Sequence, residues 1–525
     1  MKRKSKSVLA GPFSGSWDII SRRQFLKGMT ALLSVGMFET FPGNITWAAP
    51  PKRIPGLTFG MVGEISTFDP NLAATTNQAF FRQLNDVLVA LDAAGKPHAR
   101  LAEKYQLTSD GTSLTINLRK GLKYHSGTPV VADDVVKLIE RARDSKTGGG
   151  IYGYTAAIKE AMAKDDTTLV INYTGPNPGY LNLLNSLYIM NPSSLADLKM
   201  KIDGTGPWKL VERSPGDKIS MVRNPHYWAA PLPHADKLTA KIFGDEDAMI
   251  AALESGGIDM VYWFPLKHYP RLKERLQFVF GPANTRVWEL RMQTKKAPFD
   301  DKKVRQAIAY GIDRASVVKD VMFGVGTPTP HSWGKTHPAY DASYDGRNKF
   351  DLNKAKSLLT AAGKPSGKFT ILLSTADAEG KGIASILQAD LMKIGWTVEL
   401  DVLDPARFSP RLVAGDFQMA INASGQFDLY TSFAAANSVY RISGNPVWAE
   451  GKPPADYIAG IKAAESTVDP TKQKAALKQV AETLFEEAWT IPICWQVTLY
   501  GATKKVHGIE VVAVGRPVFE GVSLE

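Results

Sequence analysis

The residues of this 525-residue sequence with chemistry to offer are few: eight histidines, one cysteine and some loops that mix aromatic and acidic side chains. No G-x-S-x-G elbow, H-E-x-x-H pair or Walker loop is present. The histidines stand apart, His331 and His337 being only loose neighbours, and read as ordinary surface or turn residues rather than a convergent metal cage. Cys494 is the sole cysteine, which excludes an intramolecular disulfide, cysteine-only iron–sulfur ligation and C-x-x-C-H haem attachment. The sequence therefore predicts no catalytic residue, no metal and no cofactor.

Binding chemistry is better represented. "GTGPW", Gly204 to Trp208, has the glycines of a phosphate cradle, but Pro207 removes one of the N–H groups such a nest needs, so a turn is expected. "ESGGIDMVYWFP" places Tyr262 and Trp263 directly after a short apolar strand, where the loops of an α/β sheet line a crevice. These aromatics either stack on a ligand or fill core.

The elements that must position these loops alternate. "PGLTFGMV" is strand-like and precedes the Asp69-Pro70 turn, and "NQAFFRQLNDVLVALD" has helical spacing at Phe80, Phe81, Leu84, Val87 and Leu88. "YQLTSDGTSLTINL" reads as two strands about Asp110-Gly111, and "TPVVADDVVKLIERA" as a helix from Ala132 or Asp133 with acids in its first turn. Strands alternating with helices, 44% hydrophobic and 22% charged content, and this length imply an α/β protein of two or three domains.

The N-terminal stretch has a different character. A basic segment, the apolar run Gly28 to Phe38 and small residues about Thr46-Trp47-Ala48 form an export signal, and that run is far short of the roughly 20 residues a membrane span requires. Removing residues 1–48 takes away seven Lys/Arg and two acids and lowers the net charge from +11 to +6. The remaining charges are interspersed, which argues against a nucleic-acid partner.

Two resemblances organise these features. Ser21-Arg22-Arg23-Gln24-Phe25-Leu26-Lys27 resembles the twin-arginine translocation signal, with Arg22 and Arg23 as its motif residues. The block "LTSDGTSLTINLRKGLKYHSGTPVVADDV", the Gly204 to Trp208 turn with Arg223 to Trp228, and "APFDDKKVRQAIAYGIDR" resemble, in the same order, the signature of the family 5 extracellular solute-binding proteins of ABC importers, as do "FDLNKAKSLLTAAG" and "LQADLMKIGWTVELD". The resemblance covers essentially the whole chain after the leader.

It implies a two-lobed periplasmic binding protein fold of type II with an extra subdomain and a cleft between lobes joined by a two-segment hinge. Residues 49–89, 205–285 and 496–525 would form lobe I, 90–204 the inserted subdomain and 286–495 lobe II. By the same resemblance, Tyr262 and Trp263 reach the cleft, and Asp86 and Val87 offer main-chain groups to an extended ligand, a packed helix being the competing reading there. Across the cleft, "MAINASGQFDLYTSF" brings Ser424, Gln426 and Asp428. Peptide-binding members that capture a free amino terminus carry an aspartate where Gln426 falls, so that role is lost or passes to Asp428, which otherwise reads as a turn or cap residue.

The function implied is capture of a small polar, peptide-like solute and its delivery to an ABC permease of the inner membrane. The protein is expected to be monomeric, exported by the twin-arginine translocase, and free in the periplasm, because no cysteine near residue 49 could carry a lipid anchor. A periplasmic cofactor-bearing oxidoreductase exported by the same route, or a receptor for a sugar, opine or nickel complex, are the alternatives.

Overall fold

A computed structural model of the chain describes residues 53–72, 78–282, 286–335, 337, 339–425, 439–513 and 515–525. The leader with Arg22 and Arg23 lies outside the described residues, as do Gln426 and Asp428.

Among the described residues three larger sheets form. The first has seven strands in the order Trp208–Ser214, Lys218–Arg223, Lys237–Phe243, Leu57–Val62, Met260–Val261, Leu499–Ala502 and Gln277–Phe280. Leu57–Val62 is parallel to both of its neighbours, Lys237–Phe243 and Met260–Val261. It is buried at Leu57, Phe59, Gly60 and Met61, as a strand covered on both faces must be. The second sheet has six strands in the order Thr327–Pro328, Thr490–Gln496, Arg286–Met292, Met419–Gly425, Gly367–Ser374 and Trp396–Leu403. The helix Ala378–Met392 carries the chain from Gly367–Ser374 to its parallel neighbour at the sheet edge, Trp396–Leu403. The third is an antiparallel four-stranded sheet, Ala102–Leu107, Ser113–Leu118, Thr168–Tyr173 and Ile158–Ala163, whose middle strands alternate buried and half-buried residues under the helix Ala132–Arg143.

One apolar core joins the first and third sheets, a second packs Trp288, Leu290 and Met292 beneath Ile383 and Leu387, and a third lies under the helices Ala455–Glu465 and Pro470–Glu487. The chain passes from the first sheet to the second between Phe280 and Arg286. It returns across the two residues that separate Gln496 from Leu499.

The helical spacing that begins at Gln78 ends sooner than the pattern predicts. The helix runs only from Gln78 to Leu84, after which Asp86–Val87 and Val89–Leu91 are strands. Residues 86 to 90 are buried on every side, so the apolar run marks a fully enclosed segment rather than one helix face. The "GTGPW" turn explains the change of direction. A Cβ on Gly204 would lie 2.0 Å from the Leu84 carbonyl oxygen, and one on Gly206 2.4 Å from the Leu84 carbonyl carbon. Between them, Thr205 Oγ1 accepts from the Asp86 N–H at 3.0 Å and donates to the Ile189 carbonyl at 2.8 Å, stapling two strands.

Asp86 is 1% exposed and lies at the centre of an ion cluster. Arg100 meets its Oδ2 at 2.8 Å, Arg82 its Oδ1 at 3.2 Å, and Trp228 Nε1 donates to Oδ2 at 3.0 Å. Arg100 also pairs with Glu520 at 2.8 Å, and Tyr227 hydrogen-bonds to the same Glu520. Burial by itself would raise the Asp86 pKa, but the Arg100 and Arg82 charges outweigh it and hold the carboxyl below its ordinary value.

Asp86→Ala, which leaves Arg82 without its partner, is expected to cost about 3–5 kcal/mol in urea-induced unfolding. Because the folded pKa is depressed, the stabilisation from Asp86 should be complete above about pH 4 and lost as pH falls through the folded value. Stability of wild type and variant should therefore converge in acid. Gly206→Ala should lower stability at the upper end of the roughly 1–3 kcal/mol range of overpacking; an unchanged unfolding midpoint would refute the close approach to Leu84.

Candidate ligand-binding site

Parallel strands present their carboxyl ends to a common edge, and in α/β sheets that edge is where ligands are received. Here it is the edge formed by Val62, Phe243 and Val261, and the chain leaving Val261 runs directly into Tyr262 and Trp263. Tyr262 is buried and packs between Tyr500, with ring centroids 5.8 Å apart, and Trp263, also at 5.8 Å. Burial, with Tyr188 nearby, pushes the Tyr262 phenol pKa up, against the opposing charge of Arg516.

Trp263 differs in two respects: its φ is 58° and the residue is 36% exposed. A bulky non-glycine residue in the left-handed region is strained, and nothing about core filling requires an exposed indole to be held that way. The two aromatics share a pocket of about 140 Å3 with Met61, Val62, Glu246 and Met249.

Across the crossing between sheets, the first residues of Arg286–Met292 add groups not singled out in the sequence. Arg286 lies over the Trp288 ring, 5.1 Å from its centroid, and Trp288 Nε1 donates to Gln496 Oε1 at 2.9 Å. Arg286 and Asp377 approach only to 3.7 Å, with 35% and 25% of their side chains exposed. Burial raises the Asp377 pKa and lowers that of Arg286, and their mutual attraction offsets each shift incompletely. The signal in the sequence was Arg286-Val287-Trp288-Glu289, a strand with charged residues on both sides of a tryptophan.

Ser424 belongs to a different constellation. Its hydroxyl donates to Glu289 Oε1 and accepts from Arg291 Nη2 at 2.6 Å. Glu289, wholly buried, also accepts from Tyr440 at 2.5 Å and Thr490 at 2.8 Å. The Ser424 side chain is thus committed to a buried polar network across three strands of the second sheet. Such a network fixes strand register, because each member left unpaired is penalised.

Asp86 and Val87 are likewise committed. The Val87 N–H donates to Asp86 Oδ1 at 2.8 Å and its carbonyl accepts from Leu101 at 3.1 Å, while the Asp86 N–H is held by Thr205. These groups are taken by the protein itself, so the structure does not bring Asp86 and Val87 together with Tyr262 and Trp263 as open ligand contacts.

The histidines need correction. His125, His234, His331 and His337 are buried rather than at the surface. His331 Nε2 donates to the Asp345 carboxylate at 2.8 Å and packs among Tyr340, Tyr344 and Phe485, so the ring acts as a polar-tipped aromatic. Among the described residues no group of three or more His, Cys, Asp or Glu is placed to hold a metal ion. Cys494 is buried and its thiol pKa is pushed up to about 12 by desolvation, which makes it inert.

Comparison with known proteins agrees with this arrangement. The sequence pattern of the bacterial extracellular solute-binding proteins, family 5 Middle, matches residues 96–443. The glutathione-binding protein GsiB of Escherichia coli K12 is 26% identical over 522 residues, 94% of this chain and 99% of that protein. Among solved structures, NikA from Brucella suis in complex with Fe(III)-EDTA superposes with a TM-score of 0.80 at 24% identity, covering 90% of this chain and 100% of that one. The periplasmic binding protein DppA from Helicobacter pylori in complex with the peptide STSA gives 0.75 at 23%, covering 90% and 98%. The fold is accordingly the two-lobed fold of periplasmic binding proteins, and these relatives are transport receptors rather than enzymes, which sets aside the oxidoreductase alternative. The chain belongs to family 5 of the bacterial extracellular solute-binding proteins, the substrate-binding components of ABC transporters.

Proposed function

We propose that this receptor works in the periplasm, captures a peptide or peptide-like solute, and presents its closed form to a permease of the inner membrane. Lobe I comprises residues 49–89, 205–285 and 496–525, with 90–204 as its inserted subdomain and 286–495 as lobe II. The chain connections between Phe280 and Arg286 and between Gln496 and Leu499 act as the hinge. Closure is a population shift, and a solute drives it only by the contacts it gains in the closed form.

The observation that carries this reading is Trp263, an exposed indole held at φ 58° beside a pocket at the carboxyl edge of parallel strands. Strain of that kind persists where the surrounding structure enforces it, and a flat aromatic face suits a ligand whose side chains vary. The named ligands of the relatives, glutathione for GsiB and the peptide STSA for DppA, favour a peptide-like solute. Contact between the subdomain and lobe II supports a closed arrangement: a Cβ on Gly111 would lie 2.5 Å from Val468 Cγ1. Among the described residues no helix is long and apolar enough to cross a membrane.

A thermal-shift screen of the purified chain against peptide, sugar and metal-chelate pools should give its largest rise with peptides. Solute at about 100 times its Kd adds roughly 2.7 kcal/mol to the native state. Trp263→Ala should weaken that solute by on the order of tenfold or more, consistent with the loss of one stacked aromatic contact. Stabilisation by sugars alone would overturn the substrate class, and wild-type affinity in Trp263→Ala would remove the indole from the site. For export, Arg22→Lys combined with Arg23→Lys should leave the precursor in the cytoplasmic fraction; undiminished periplasmic protein would refute the twin-arginine route.

A further inference from the structure

One arginine beside the Tyr262 edge has no acid within ion-pair distance among the described residues. Arg516 follows Gly515, which turns the chain at φ 73°, and precedes the short strand Pro517–Val518. Its Nε donates to Gln78 Oε1 at 3.2 Å and its Nη1 to the Tyr188 hydroxyl at 2.6 Å. Its Cζ lies 5.4 Å from the Phe81 ring centroid and 5.9 Å from that of Tyr188, and those two rings are 5.3 Å apart. The guanidinium is thus oriented by two neutral hydrogen-bond partners and two aromatic faces. No carboxylate among the described residues comes within 4.0 Å of it.

The contrast with the other cations of this region is informative. Arg100 is matched by Asp86 and Glu520, Arg82 by Asp86, and Arg286 faces Asp377. Arg516 alone among these spends its donors on neutral oxygens. Two of its five N–H groups are accounted for, and Nη2 is neither bonded within the described residues nor sealed from solvent. A half-buried guanidinium against aromatic rings has lost part of its hydration without gaining an ion pair, so an anion delivered to its open edge is bound with little further desolvation.

Its position joins that edge to the site. The Tyr500 hydroxyl donates to the carbonyl of Gly515, Tyr500 packs on Tyr262, and Tyr262 packs on Trp263. A continuous aromatic wall therefore leads from the Arg516 turn to the exposed indole.

Resting on the receptor reading above, we infer that Arg516 anchors a carboxylate of the solute, while Tyr262 and Trp263 flank its adjoining apolar part. A carboxylate is the anion that fits: one open guanidinium edge pairs with two coplanar oxygens, whereas a phosphate calls for donors from several directions, and among the described residues no second cation is joined to this aromatic wall. Gln78 and Tyr188 hold the fork in the orientation that makes the contact, and act as positioning residues.

The test compares the wild-type chain with Arg516→Met and Arg516→Lys. Each is titrated by thermal shift and calorimetry with a tripeptide pool that carries free carboxylates, with the same pool converted throughout to amides, and with a neutral sugar pool. Circular dichroism establishes that the variants are folded, and Arg516→Lys, which keeps the charge, serves as a second safeguard. The wild type should prefer the free acids. Arg516→Met should bind them on the order of 10- to 100-fold more weakly, the range of a charge-assisted hydrogen-bonded pair, and lose its preference over the amides. Arg516→Lys should fall between, since an ammonium cannot supply the fork. Wild-type affinity with the acid preference intact in Arg516→Met overturns the anchor and leaves the peptide receptor standing, as does equal binding of acids and amides by the wild type. Stabilisation by the sugar pool alone overturns both the anchor and the peptide class. A wild-type chain that none of the three pools stabilises sinks the peptide-receptor reading and the anchor with it.

Discussion

A carboxylate removed from water must be matched by charge, and in this chain the matching of Asp86 ties together segments that are distant in sequence. Arg82 comes from the end of the first helix, Arg100 from the entry to the four-stranded sheet, Tyr227 and Trp228 from the stretch after the first sheet's antiparallel hairpin, and Glu520 from the chain's last turn. Removing any one of the charged partners leaves a buried ion short of its match, and such an ion is strongly penalised. The first sheet and the four-stranded sheet share one apolar core, and this cluster fixes how they meet.

That constraint bears on the site through geometry rather than contact. The glycines of "GTGPW" lie against the end of the helix that carries Arg82, and Thr205 between them pins Asp86 to the strand of Tyr188. Tyr188 in turn holds the Arg516 fork. A motif that could be mistaken for a phosphate cradle is a close-packing device, and the polar groups it positions lead step by step to the aromatic wall at Tyr262 and Trp263.

Much of this was legible in the sequence, and the reasons differ by residue. The Asp110-Gly111 hairpin, the helix from Ala132 and the strand before Tyr262 were readable because local propensity and tertiary structure agree there. The helix predicted through Val87 was not, because an apolar run enclosed on all sides carries no periodicity to separate strand from helix. Side-chain roles were harder still. Asp86 and Ser424 were expected at the ligand and instead serve buried networks, since sequence shows that a group is polar but not which partners fold around it. Arg286 and Arg516 could not be told from any other arginine until the positions of acids relative to each was known.

The last strand of the first sheet before its edge, Leu499–Ala502, and the Glu520 of its ion cluster both come from the final 27 residues of the chain, and Gln83 hydrogen-bonds the carbonyl of Pro517, 434 positions away. The first sheet and the Asp86 cluster therefore cannot be completed until the chain has been made as far as Glu520. Until then Met260–Val261 and Gln277–Phe280 lack the strand that lies between them, and Arg100 lacks one of its two acids. Loss of the stretch from Leu499 to Glu520 would therefore be felt hundreds of residues upstream, in a sheet left open between two of its strands and a buried arginine left with one acid in place of two.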